Sequence, residues 1–133
     1  MKAVLVLCVV VAGALAQLPD SERIHLKQVH DSCQADRATY ADESRLKQLN
    51  KYIDDAVVGN HMLCMSKKAG LQKGNGDLDI GVIKQKIALV TADKSKVDGL
   101  VKKCAVVNGN PQKTANLLWL CFVQNNIDYL HRL

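Results

Sequence analysis

The chain has 133 residues, 48% of them hydrophobic and 4% aromatic, with a formal charge of +5. That length supplies one hydrophobic core and not two. The basic residues are scattered, the longest runs being Lys67-Lys68 and Lys102-Lys103; a nucleic-acid binder concentrates charge on one face and adds aromatics, so nucleic acid is not expected as a partner.

Met1-Lys2, the apolar run from Ala3 to Val11 and the small residues Ala14-Leu15-Ala16 form the three parts of a secretory signal peptide. The run is shorter than the about 20 residues a membrane-spanning helix needs. Residues 1–16 are expected to be removed, leaving 17–133 as a single domain. Cys8 leaves with the leader. Cys33, Cys64, Cys104 and Cys121 remain, and an even number in a small exported domain reads as two disulfides. Their pairing is not given by number alone. No C-x-x-C or H-x-x-x-H spacing supports a zinc site, so no metal is expected.

The mature chain reads as amphipathic helices with short breaks. Ser21 is a candidate cap for the first, which sets Leu26, Val29 and Cys33 on one face. A second covers 39–50 with Leu46 and Leu49 inward. Asp54 is a candidate cap for a third over 55–68, ended by Gly70 as a glycine just past the helix. The stretch 70–77 holds three glycines and no apolar period, and it predicts a loop. It lacks the alternating carboxylates and closing glutamate of a calcium loop. Asp79 caps a fourth helix with Ile80, Ile83, Ile87 and Val90 in a stripe. Asp93 caps a fifth carrying Val97, Leu100, Val101 and Cys104. Asn110-Pro111 opens a sixth as cap and first helical residue. Its run from Leu117 to Val123 is apolar on every side, which predicts a helix buried among the others. No convincing strand is present. The fold class expected is all-α, six helices around a central last one.

This layout resembles the insect odorant-binding proteins of the PBP/GOBP type, which have a leader, about six helices and six cysteines. Cys33, Cys64, Cys104 and Cys121 match the first, third, fourth and sixth. Counting back from Cys64 and Cys121 places the missing second and fifth at Asn60 and Gln112, which are bonded to each other in the six-cysteine pattern. The chain is similar to the four-cysteine, "minus-C" branch. The segments His61-Met62-Leu63-Cys64-Met65-Ser66-Lys67-Lys68-Ala69-Gly70 and Val101-Lys102-Lys103-Cys104 resemble beetle members, among them carriers of haemolymph and accessory glands. The resemblance implies the pairs Cys33–Cys64 and Cys104–Cys121. Asn60 and Gln112 are expected to face each other as hydrogen-bonded amides.

The same resemblance implies a cavity among the helices in place of a solid core. Val58, Met62, Met65, Ile83, Ile87, Leu100, Leu118 and Phe122 are the candidate lining, and Tyr40, Tyr52, Tyr129 and Trp119 the candidate polar contacts. Burial of ~300 Å² of ligand surface at about 25 cal/mol per Å² suggests micromolar affinity for flexible aliphatic molecules. Ile127, Tyr129, Leu130 and Leu133 are candidates for a lid over the cavity, and His131 beside them is a candidate pH trigger, although a lone exposed histidine is more often inert. The function implied is secreted transport of a small apolar ligand in sensillum lymph, haemolymph or glandular fluid. No catalysis, cofactor or stable membrane association is expected; a receptor is a further partner, and the state expected is monomer or weak dimer. The alternative is a secreted reproductive-fluid or immune protein acting on membranes or proteins. His25 and His30 have no evident nucleophile beside them, and no hydrolase or nucleotide-binding motif occurs.

Overall fold

The computed structural model describes residues 18–129. The expected leader, and Leu130, His131 and Leu133 of the expected lid, lie outside them. Among the described residues the fold is all-α: α1 Asp20–Ala35, α2 Glu43–Leu46, α3 Ala56–Lys68, α4 Ile80–Leu89, α5 Val97–Cys104 and α6 Pro111–Gln124. Single 3₁₀ turns, Leu49–Lys51 and Lys94–Lys96, follow α2 and precede α5. Extended pairing is limited to an isolated bridge between Gln72 and Leu78.

Most helix starts follow from one side chain each. Asp79 Oδ1 accepts from the Val82 N–H at 3.1 Å and Asn110 Oδ1 from the Lys113 N–H at 2.8 Å, with Pro111 in the first turn. Both satisfy a donor that the helix itself leaves unpaired. Gly70 closes α3 at φ +84. Its N–H donates to the Lys67 carbonyl and that of Leu71 to Ser66, a Schellman closure whose left-handed residue favours glycine.

Several local expectations are corrected. The first helix starts at Asp20 after Pro19, with no side-chain cap, so Ser21 lies inside it. The cap of α3 is Asp55, not Asp54: Asp55 Oδ1 accepts from the Val58 N–H at 3.0 Å and Oδ2 from Arg45 at 3.1 Å. The expected helix 39–50 is broken into α2, capped by Asp42, and the turn Leu49–Lys51. Asp93 caps the turn Lys94–Lys96, and α5 begins only at Val97. Ile80 lies outside the stripe it was given, at 48% exposure, and Val123 leaves the all-apolar run half exposed at 52%.

The core is built from Leu26, Val29 and Cys33 of α1, Val58, Met62 and Met65 of α3, Ile83 and Ile87 of α4, and Leu118, Trp119 and Phe122 of α6. Cys33–Cys64 ties α1 to α3 and Cys104–Cys121 ties α5 to α6, across 31 and 17 residues of chain. This is the pairing the family resemblance implies. Each contributes about 3 to 4 kcal/mol in the chain-entropy model. The most extensive helix contact, α3 against α6, carries no cross-link among these.

That contact is close because Gly59 faces Gln112. A Cβ at Gly59 would stand 2.9 Å from Gln112 Cβ. Gly59→Ala therefore sets an overpacking cost of about 1–3 kcal/mol against a helix-propensity gain of about 1 kcal/mol. The expected outcome is a lower midpoint of urea unfolding with an unchanged slope.

Candidate functional site: an apolar pocket with a polar wall

The second half of α3 and the middle of α6 bound a pocket of about 170 Å³, closed on its other sides by α1, α2 and the turn Leu49–Lys51. Its apolar wall is Leu46, Leu49, Met62, Met65, Trp119 and Val123. Met62, Met65 and Trp119 are nearly buried, whereas Lys47, Asn50 and Val123 at the rim are exposed. The pocket thus runs from a wet mouth to a dry interior.

Two imidazoles complete the wall. His30 and His61 lie edge to face with centroids 5.2 Å apart and are 6% and 0% exposed. His61 Nδ1 donates to the Thr39 carbonyl at 2.9 Å, because a carbonyl oxygen only accepts. His30 Nε2 donates to Glu43 Oε1 at 2.7 Å, and Gln34 donates to the same oxygen at 2.6 Å. Burial pushes the Glu43 carboxyl up, but those two hydrogen bonds and the imidazole charges outweigh it and hold it below the usual carboxylate range. Trp119 Nε1 donates to Ser66 Oγ at 2.6 Å, which satisfies a buried donor without using the pocket face.

The structure divides the expected lining. Met62 and Met65 border this pocket. Val58, Ile83, Ile87, Leu118 and Phe122 are buried in the core and are not part of this pocket's wall. Leu100 is half-buried and stands apart from the pocket wall. His30, His61 and Val123 were not expected as lining. A signal for the histidines was present: His30 sits four residues after Leu26 and three before Cys33, and His61 three after Val58 and four before Met65, both on buried helical stripes.

Of the candidate polar contacts, Trp119 alone reaches the pocket wall. Tyr40 is exposed at 54%, and Tyr52 lies under the Arg45 guanidinium at 5.4 Å. Tyr129 is fully buried against Trp119 and Phe122, with ring centroids 6.3 and 6.4 Å away. The described part of the tail, including Ile127 at 2% exposure, therefore packs into the core. It is latched there by Tyr129, whose hydroxyl donates to Glu22 Oε2 at 3.1 Å, while Lys86 of α4 pairs with Glu22 Oε1 at 2.7 Å.

A larger cleft of about 310 Å³ lies between the starts of α3 and α6, where Ile53 and Ala56 stand among amides and charges, including Asp54, Asn60, Gln112, Lys113 and Asn116. An apolar molecule there gains contact with two side chains at the cost of displacing water from the polar rest of the wall. Gln112 Nε2 donates to Asn60 Oδ1 at 3.4 Å across this cleft. Among the described residues no group of three His, Cys, Asp or Glu is placed to hold a metal, and no helix is long and apolar enough to cross a membrane.

Six helices among the described residues, two disulfides and an apolar pocket between them define the class, a disulfide-stapled all-α domain. Residues 16–125 match the PBP/GOBP family, and the chain belongs to that family of small-ligand binding proteins. It is similar to the B1 protein of Tenebrio molitor, 22% identical over 78% of this chain and 80% of that one. It is also similar to the B2 protein of Tenebrio molitor, 24% identical over 87% and 91%. No solved structure matches.

The Glu22 latch makes stability depend on pH in two places. Burial raises the Glu22 carboxyl, but Lys86 and Tyr129 lower it further, so its net shift is downward from 4.5. A lowered carboxyl contributes stability above its unfolded value that is lost as pH falls through the folded one. Burial, then the Glu22 charge and hydrogen bond, raise the Tyr129 hydroxyl far above 10.0. Its contribution is full below that value and declines as pH rises past it. Urea midpoints measured from pH 3 to 11 are expected to fall at both ends, with both slopes flatter in Glu22→Gln.

Proposed function

We propose that the chain is a secreted carrier that holds a small apolar ligand in the pocket between α3 and α6 and performs no catalysis. The observation that carries this reading is the pocket's composition: two methionines and the indole of Trp119 form a nearly dry inner wall reached from solvent. Family membership supports the same function class. The leader pattern in residues 1–16 supports export, with extracellular fluid as the compartment and a receptor as the further partner. The carrier acts as a monomer or weak dimer.

The pocket is smaller than the about 300–1,000 Å³ common for ligand sites. Larger ligands therefore need the wall to yield. Methionine is suited to that, being unbranched with three rotatable bonds. When Met62 and Met65 swing aside, the layer behind them, including Val58, Leu118 and Phe122, becomes lining, and Ile83, Ile87 and Leu100 complete it in the widest state.

Trp119 is the chain's single tryptophan and stands on the pocket wall, so its fluorescence reports occupancy directly. A saturable change with medium-chain aliphatic molecules at micromolar concentration is expected. Val123→Phe adds bulk at an exposed rim position, where the fold is insensitive, keeps Trp119 as the single tryptophan, and is expected to weaken that binding about tenfold, about 1.4 kcal/mol. No saturable change in the parent protein would end the proposal.

The four-cysteine assignment is part of the same reading. The Asn60–Gln112 contact supports it, because a polar pair stands where the six-cysteine pattern puts a bridge. The double variant Asn60→Cys, Gln112→Cys is expected to oxidise to a third disulfide, seen as loss of two free thiols. Closing that 52-residue separation stabilises by up to about 4 kcal/mol in the chain-entropy model.

A further inference from the structure

We infer that the pocket selects amphiphiles with an anionic head, of the aliphatic carboxylate class, and that Lys47 at its mouth binds the head. This rests on the reading of the pocket as the ligand site and names the chemistry of its ligand. The first observation is the sign of the wall. Its polar members are His30, His61, Lys47 and Asn50, and no carboxylate is among them. The acid that touches this wall, Glu43, stands behind His30. Its Oε1 accepts from both His30 and Gln34, and its side chain is 45% exposed to solvent. Glu43 does not line the pocket, and its charge is already hydrogen-bonded.

The second observation is the state of Lys47. Arg23, Lys27, Arg45, Lys84, Lys86 and Lys113 each pair with a carboxylate. Lys47 has no ion pair among the described residues. Other described basic residues, Lys51, Lys67 and Lys102 among them, also have none, but of these Lys47 is the one that lines the pocket, exposed at its rim. Its ammonium is a point charge on a flexible four-carbon stem, able to follow a head group at the mouth.

The third is the polarity gradient. Met62, Met65 and Trp119 form the dry end, and Lys47 and Asn50 the wet one. An amphiphile therefore enters tail first and leaves its head in water beside Lys47. A carboxylate there gains an ion pair without the desolvation cost that burying it would impose. An amine meets a like charge, and a neutral hydroxyl gains only ordinary hydrogen bonds. Exposed ion pairs of this kind change affinity up to about fivefold. The wall thus biases ligand choice while burial of the tail supplies most of the binding.

The test titrates the full chain with octanoate and with 1-octanol, which share a tail length and differ in the head, and follows Trp119 fluorescence. The quantity read is the ratio of the two affinities in the parent, Lys47→Gln and Lys47→Glu proteins. The expected result is a ratio shifted about three- to fivefold against octanoate in Lys47→Gln and further in Lys47→Glu. The parent's preference is also expected to shrink with added salt, as an exposed pair is screened. Binding of both ligands with the same ratio in all three proteins overturns the inference and leaves the pocket standing. Binding of neither to the parent overturns the pocket reading, and the inference with it.

Discussion

The structure depends on how α3 meets α6. One disulfide fastens α1 to α3 and the other fastens α5 to α6, so covalent chemistry makes two stapled halves. Packing, a few hydrogen bonds and the ion pair of Lys113 with Asp54 at 3.0 Å hold those halves together at this seam. Gly59 lets the backbones approach, Asn60 and Gln112 bond at one end, and the Trp119 indole donates to Ser66 at the other. The apolar pocket straddles the same seam, with Met62 and Met65 on one side and Trp119 and Val123 on the other. A pocket placed where cross-links are absent can change width without straining a covalent bond. Disulfides constrain chiefly the unfolded chain, so this division stabilises the domain while leaving its most extensive helix contact free to adjust.

The tail acts on the seam from below. Tyr129 inserts beside Trp119 and Phe122 and is held by Glu22 of α1, which Lys86 of α4 also holds. Three parts of the chain far apart in sequence thus converge on one carboxylate. A buried hydroxyl without that partner would cost about 1–3 kcal/mol. The aromatic cluster backs Trp119, which stands on the pocket wall, so the tail touches the pocket through that one residue.

What the sequence made legible follows from the range of each signal. Caps and glycine closures act over three or four residues, and Asp79, Asn110 and Gly70 were readable as such. Asp54 and Asp55 are adjacent and chemically alike; the choice of Asp55 depends on Arg45, ten residues away, and no local pattern encodes it. The break in 39–50 has the same origin. His30 and Gln34 of α1 grip Glu43 and Ala41, which fixes the start of α2 by contacts outside its own sequence. Periodicity identified inward residues but not what they face. Ile83, Ile87 and Leu118 share a stripe signature with Met62 and Met65, yet of these five only the latter pair lines the pocket. The histidines carry the same stripe signal, but a polar residue on a stripe does not by itself distinguish a pocket wall from a packed core.

The placement of those histidines has an energetic logic of its own. A buried polar group that is not hydrogen-bonded destabilises the fold, so His30 and His61 are tolerable only because the 39–43 segment supplies Thr39 O and the Glu43 carboxylate. That segment is irregular, and its backbone is free to present a carbonyl where a helix would not. The break between α1 and α2 is thus what permits a polar wall inside an apolar pocket. A continuous helix would turn those backbone acceptors inward on itself, and the same two positions would then favour aliphatic residues. The departure from regular structure and the chemistry of the pocket are one feature, set by where the chain places its unpaired acceptors.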